Sequence, residues 1–139
     1  MFVLCMEFLT SLHQYSDWGL LALRIALGVI FLVHGPPKVM HPERASAMGF
    51  AVWFWVMLGL GETIGALSML LGFLTQIGAI ILLLIMLGAH YFKMVVWKVP
   101  FTSMEKTGWE FDFMILSATT ALVFLGGGSL SLDRIMFGL

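Results

Sequence analysis

The chain's 139 residues are 60% hydrophobic and only 11% charged. Soluble domains carry about 25% charged residues, so a soluble core is excluded; the net charge of −1 gives no sign of the basic face that nucleic-acid binding needs. Cys5 is the sole cysteine, which rules out an intramolecular disulfide, a CxxC redox pair and a cysteine metal cage.

The length fits one domain. Residues 1–17 begin apolar, but Glu7 interrupts them and no Lys or Arg precedes Arg24, so the positive n-region of a cleaved leader is missing. They are expected to be an interfacial segment ahead of a membrane domain over 18–139. Four runs there reach the roughly 17–25 apolar residues that a helix needs to cross hydrocarbon. The first runs from Trp18 to His34 and is expected to stop at Gly35-Pro36-Pro37, because proline removes a helical N–H. The second covers Met48 to Leu71 and ends at Gly72. The third begins near Gln76 and continues to Phe92 or Val96, and the fourth extends from Trp109 to Leu125, before Gly126-Gly127-Gly128. The short link after the second run predicts an antiparallel hairpin. The expected fold is all-α, an integral membrane four-helix bundle.

Lys38 and Arg44 lie between the first two spans, and Lys93, Lys98 and Lys106 around the third connection. By the positive-inside rule the two long loops are cytoplasmic and the termini outside.

Ionisable residues inside apolar runs are costly and mark either architecture or function. At a rise of ~1.5 Å per residue, Arg24 sits roughly 9 Å and Glu62 roughly 13 Å from the terminal side, so the two are expected to pair. Both lie on glycine-bearing faces, and Gly61 and Gly65 form a GxxxG spacing that allows close helix approach. A second set gathers at the other end: His34 and Lys38 after span one, His90 and Lys93 closing span three, Glu110 and Asp112 opening span four. Asp112 points about 200° away from Glu110, so both cannot line one narrow pocket. Acidic residues in a first helical turn also suit the macrodipole. On these grounds His34, Lys38, His90 and Glu110 are the candidate binding set, and Asp112 is set aside. Haem between His34 and His90 is disfavoured. A metal site is not expected, because His34, His90 and Glu110 lack a ligand spacing such as HExxH.

The ordered set Arg24-Ile-Ala-Leu-Gly28, His34-Gly35-Pro-Pro-Lys38, Glu62-Thr-Ile-Gly65, Gly108-Trp-Glu110 and Gly126-Gly-Gly128-Ser-Leu-Ser131-Leu132-Asp133 resembles the DoxX family of small four-helix membrane proteins. The resemblance spans about Trp18 to Asp133. It departs from the family at Pro36-Pro37, which stiffens the HGxxK turn, and at the triple glycine, where Gly-Pro-Gly is common. It implies a bacterial or archaeal inner membrane and a family-like polar set of Arg24, His34, Lys38, Glu62, Glu110 and Asp133. It further implies larger membrane or soluble redox partners, no cofactor of the chain's own, and a quinone as ligand.

The leading expectation is an auxiliary subunit of a respiratory or other quinone-linked redox complex. One alternative is a quinone-binding oxidoreductase subunit in which His34 and Glu110 exchange protons and Lys38 polarises a carbonyl. Another is a small protein that binds or transports an apolar ligand.

Overall fold

The computed structural model describes residues 6–7, 10–102 and 107–138. Among them the regular structure is entirely helical. A 3-10 turn, Leu12–Tyr15, leads into α1 (Ser16–Met40); a single-turn α2 (Arg44–Ala47) precedes α3 (Val52–Leu71). Next come α4 (Thr75–Tyr91), which widens into a π-helical turn at Phe92–Val96, α5 (Trp109–Leu125) and a short α6 (Leu132–Phe137).

Each long helix turns a narrow stripe inward. In α1 it is Arg24, Leu27, Gly28, Phe31 and Gly35; in α3 it is Gly59, Glu62, Gly65, Ala66 and Met69. Thr75, Gly78, Ala79, Leu82 and Met86 of α4 face Asp112, Ile115, Thr119 and Leu122 of α5 in the same way. These spacings of three and four are the helical period. α1 packs chiefly on α3, α3 on α4 and α4 on α5, while α1 and α5 touch only slightly. The remaining faces carry exposed Val, Leu, Ile, Met and Phe, as a lipid solvent requires.

Leu12–Met40, Val52–Leu71 and Thr75–Val96 are long and apolar enough to cross a membrane, so the protein is an integral membrane protein. The expected four-helix bundle is present: its fourth helix, α5, has 17 residues and carries Glu110 and Asp112 in its first turn. The proline expectation is corrected, since α1 runs through Pro36 and Pro37 to Met40. Each proline costs one backbone bond, but Gly35 lets this turn lie directly on α3 backbone, and packing holds it.

At one end, α3 stops at Gly72, whose left-handed backbone (φ 65°) turns its own N–H and that of Phe73 onto the Ser68 carbonyl. Asp133 then caps α4: Oδ1 accepts from Leu74 N at 2.6 Å and Oδ2 from Thr75 N at 2.8 Å. A carboxylate on unpaired N–H groups at a helix N-terminus is favourable on both hydrogen-bonding and dipole grounds. Arg24, 1% exposed, closes the same end. Its Nε donates to Met69 O (3.0 Å), and its Nη1 to Gly127 O (2.6 Å) and Leu130 O (3.0 Å).

Candidate functional site

The opposite end is built on a glycine contact. A Cβ on Gly59 would lie 2.8 Å from the Gly35 carbonyl and 2.8 Å from Lys38 Cβ, so only glycine lets α1 and α3 meet this closely. Gly35 and Lys38 are three residues apart on one helix, Gly59 and Glu62 three apart on the other. The approach that joins the glycines therefore joins the charges. Lys38 Nζ donates to both carboxylate oxygens of Glu62. Glu62 is 7% exposed at its side chain and Lys38 18%.

A second pair lies across the bundle. Lys93 Nζ donates to Asp112 Oδ1 at 2.9 Å, and the Asp112 side chain is 5% exposed. Lys93 belongs to the π-helical turn, whose wider winding changes where successive side chains point; such turns recur at functional sites.

Between these pairs lies a cavity of about 600 Å³, within the usual range for small-molecule pockets. Lys38, Glu62, Lys93 and Asp112 all line it, together with Phe50, Phe54, Trp55, Phe92, Trp97 and Phe111. Phe50 organises the aromatic wall, edge-on to Phe92 at 5.0 Å and stacked on Trp55 at 5.9 Å. Lys38 Nζ stands 5.5 Å from the Trp55 ring centroid, a cation–π contact that supplements its ion pair. His34 also lines the cavity, and its Nδ1 lies 2.7 Å from the Ile30 carbonyl. A carbonyl oxygen only accepts, so Nδ1 carries the proton, and in that tautomer Nε2 is an acceptor.

The structure redistributes the expected residues. Arg24 and Glu62 do not pair, because Arg24 is held by three carbonyls at the closed end and Glu62 by Lys38. Helical side chains lean toward the N-terminus of their own helix. Arg24 therefore leans away from mid-membrane, whereas Lys38 leans into it and Glu62, on an antiparallel helix, leans to meet it.

His34 and Lys38 reach the cavity, but His90 and Glu110 do not. The His90 ring packs edge-on against Trp109 at 5.3 Å, and its Nδ1 has no partner among the described residues. Glu110 is exposed, whereas Asp112, set aside on angular grounds, is buried and paired. The 200° separation was sound; the wrong member of the pair was turned inward. The signal lay in the run Asp112, Ile115, Thr119, Leu122, whose spacing of three, four and three continues an apolar stripe through the acid. The aromatic wall went unread for a different reason: Phe50 and Phe92 come together only when the helices pack. Among the described residues no group of three or more His, Cys, Asp or Glu is placed to hold a metal ion.

Chemically, the site offers ammonium donors whose charges are balanced inside apolar walls. It can hold a flat, largely apolar molecule with polar oxygens at its edge.

Comparison with known proteins points to one group. A family model described as DoxX matches residues 19–94, a segment that holds Lys38, Glu62 and Lys93 but not Asp112. "Putative oxidoreductase CatD" of Bacillus subtilis is 29% identical over 130 residues, covering 91% of this chain and 92% of that protein. An uncharacterized protein of Haemophilus influenzae is 28% identical over 132 residues, covering 93% and 98%. An uncharacterized membrane protein of Mycobacterium tuberculosis is 27% identical over 137 residues, covering 88% and 84%. No solved structure matches the chain significantly.

Proposed function

The chain belongs to the DoxX family, and on that premise we propose that it is an auxiliary membrane subunit of a quinone-linked redox system, contributing a cavity for the quinone headgroup. The observation that carries this reading is the pair of ammonium groups, Lys38 and Lys93, each anchored by a buried carboxylate on one apolar, aromatic-walled cavity. A quinone ring is flat and apolar, with two carbonyl oxygens that only accept hydrogen bonds. It needs apolar walls with donors at its edge, and an ammonium is a charged, strong donor. The word oxidoreductase in the name of the Bacillus subtilis relative points the same way. Electrons are supplied by a partner redox protein, and the subunit holds the ring within reach of it. The gathering of Lys38, Arg44, Lys93 and Lys98 toward the cavity end supports a cytoplasmic placement of that end. Glu110 has no part in this reading.

A photoreactive quinone analogue applied to native membranes containing the full chain tests it. Cross-links are expected on segments 50–55 and 92–97, and they are expected to be lost in the double variant Lys38→Met, Glu62→Leu. That variant removes both members of the pair, so no charge is left buried alone. Labelling scattered over lipid-facing surfaces and indifferent to the double variant overturns the site. Purification of the chain with no redox protein attached overturns the subunit role.

A further inference from the structure

Lys38 and Lys93 can satisfy a ligand's acceptors; Glu62 gives both its oxygens to Lys38, whereas His34 and Asp112 on the same cavity each keep an acceptor atom that neither lysine takes. His34, an exposed residue that also lines the cavity, is held by Ile30 O through Nδ1–H, and in that tautomer its Nε2 is an acceptor. Asp112 is 4% exposed and lines the cavity. Lys93 occupies its Oδ1, while Oδ2 has no hydrogen-bond partner among the described residues. A buried carboxylate oxygen without a donor is unfavourable. The terminal torsion of Asp is broad, so the carboxylate can keep Lys93 on one oxygen and turn the other toward a ligand.

A dione has only acceptors. Set against His34 Nε2 or Asp112 Oδ2, it brings lone pair against lone pair. The reduced, dihydroxy ring resolves this, because each hydroxyl oxygen still accepts from an ammonium while its O–H donates to an acceptor. We propose that His34 and Asp112 make this cavity select the reduced, dihydroxy-aromatic form of its ligand over the oxidised dione. The inference rests on the headgroup site proposed above and assigns it a redox-state preference. Asp112 is then a binding residue in its own right as well as the partner of Lys93.

The test is equilibrium binding to the full chain in lipid nanodiscs without oxygen, read by fluorescence of Trp55 and Trp97 in the cavity wall. The probes are duroquinol, duroquinone and the dimethyl ether of duroquinol, which keeps the ring and oxygens but has no O–H. Duroquinol is expected to bind about tenfold more tightly than either of the others, the worth of one hydrogen bond to a charged group. In His34→Phe and in Asp112→Asn the quinol-to-quinone affinity ratio is expected to fall toward one. The double variant Lys93→Met, Asp112→Leu gives the same reading without an orphaned ammonium. Equal binding of all three probes, or tighter binding of the quinone, overturns the preference and leaves the headgroup site standing. Failure of every probe to bind removes the site itself, and the preference with it.

Discussion

The two ends of this bundle handle buried charge in opposite ways. Where α3 turns into α4, Arg24 is shared among three backbone carbonyls and Asp133 caps two backbone N–H groups. Those charges are neutralised by the chain's own peptide groups, and the loop holding Gly127 and Gly128 lies across them. At the other end Lys38–Glu62 and Lys93–Asp112 are side chain against side chain, they border the cavity, and Asp112 Oδ2 has no hydrogen-bond partner among the described residues. Charge bound to backbone is architecture, because nothing can replace a peptide carbonyl. Charge bound to charge beside a cavity can be shared with a ligand. A buried ionisable residue in a membrane therefore points to function only after its partner is known.

The largest way to break this comparison is at the closed end. Arg24→Met strands three carbonyls, and is expected to cost about 3–5 kcal/mol, the range for removing one partner of a buried charged contact. The measurement is folded yield and thermal midpoint in detergent, and a variant as stable as the parent contradicts the architectural role.

Next comes the glycine contact beneath the cavity. Gly59→Val drives a side chain into the Gly35 carbonyl, and is expected to cost about 1–3 kcal/mol while parting Lys38 from Glu62. Duroquinone binding then weakens in step with stability. Gly61→Ala sharpens the point, since its added methyl meets the movable tip of Ile85 at 2.9 Å and Ile81 Cγ2 at an ordinary 3.6 Å, and it is expected to be close to neutral.

The smallest effect is at Glu110. Its exposure predicts that Glu110→Gln changes stability by less than about 0.5 kcal/mol and leaves ligand affinity where it was. A large loss of binding in that variant would restore Glu110 to the site.

Much of the fold was legible along the chain. Apolar run lengths placed four helices, Gly72 marked the stop of α3, and the short link that follows dictated an antiparallel hairpin. The errors were local. The prolines of α1 were read as a terminus because their missing N–H groups are visible in sequence, whereas the Gly35–Gly59 packing that carries the helix past them is not. Helical angles correctly separated Glu110 from Asp112, but the inward one could be chosen only by following the stripe to Leu122.

What sequence alone determined is composition-borne: a membrane solvent, helices as the way to satisfy backbone groups in it, and a small set of charges too costly to leave in lipid. What only tertiary structure decided is who meets whom. Arg24 and Glu62 stand at compatible depths, yet side chains lean toward their own helix N-terminus, so antiparallel neighbours meet in some pairings and diverge in others. That single geometric fact sends Arg24 to the closing loop, joins Lys38 to Glu62, and leaves a cavity where depth alone indicated a buried ion pair.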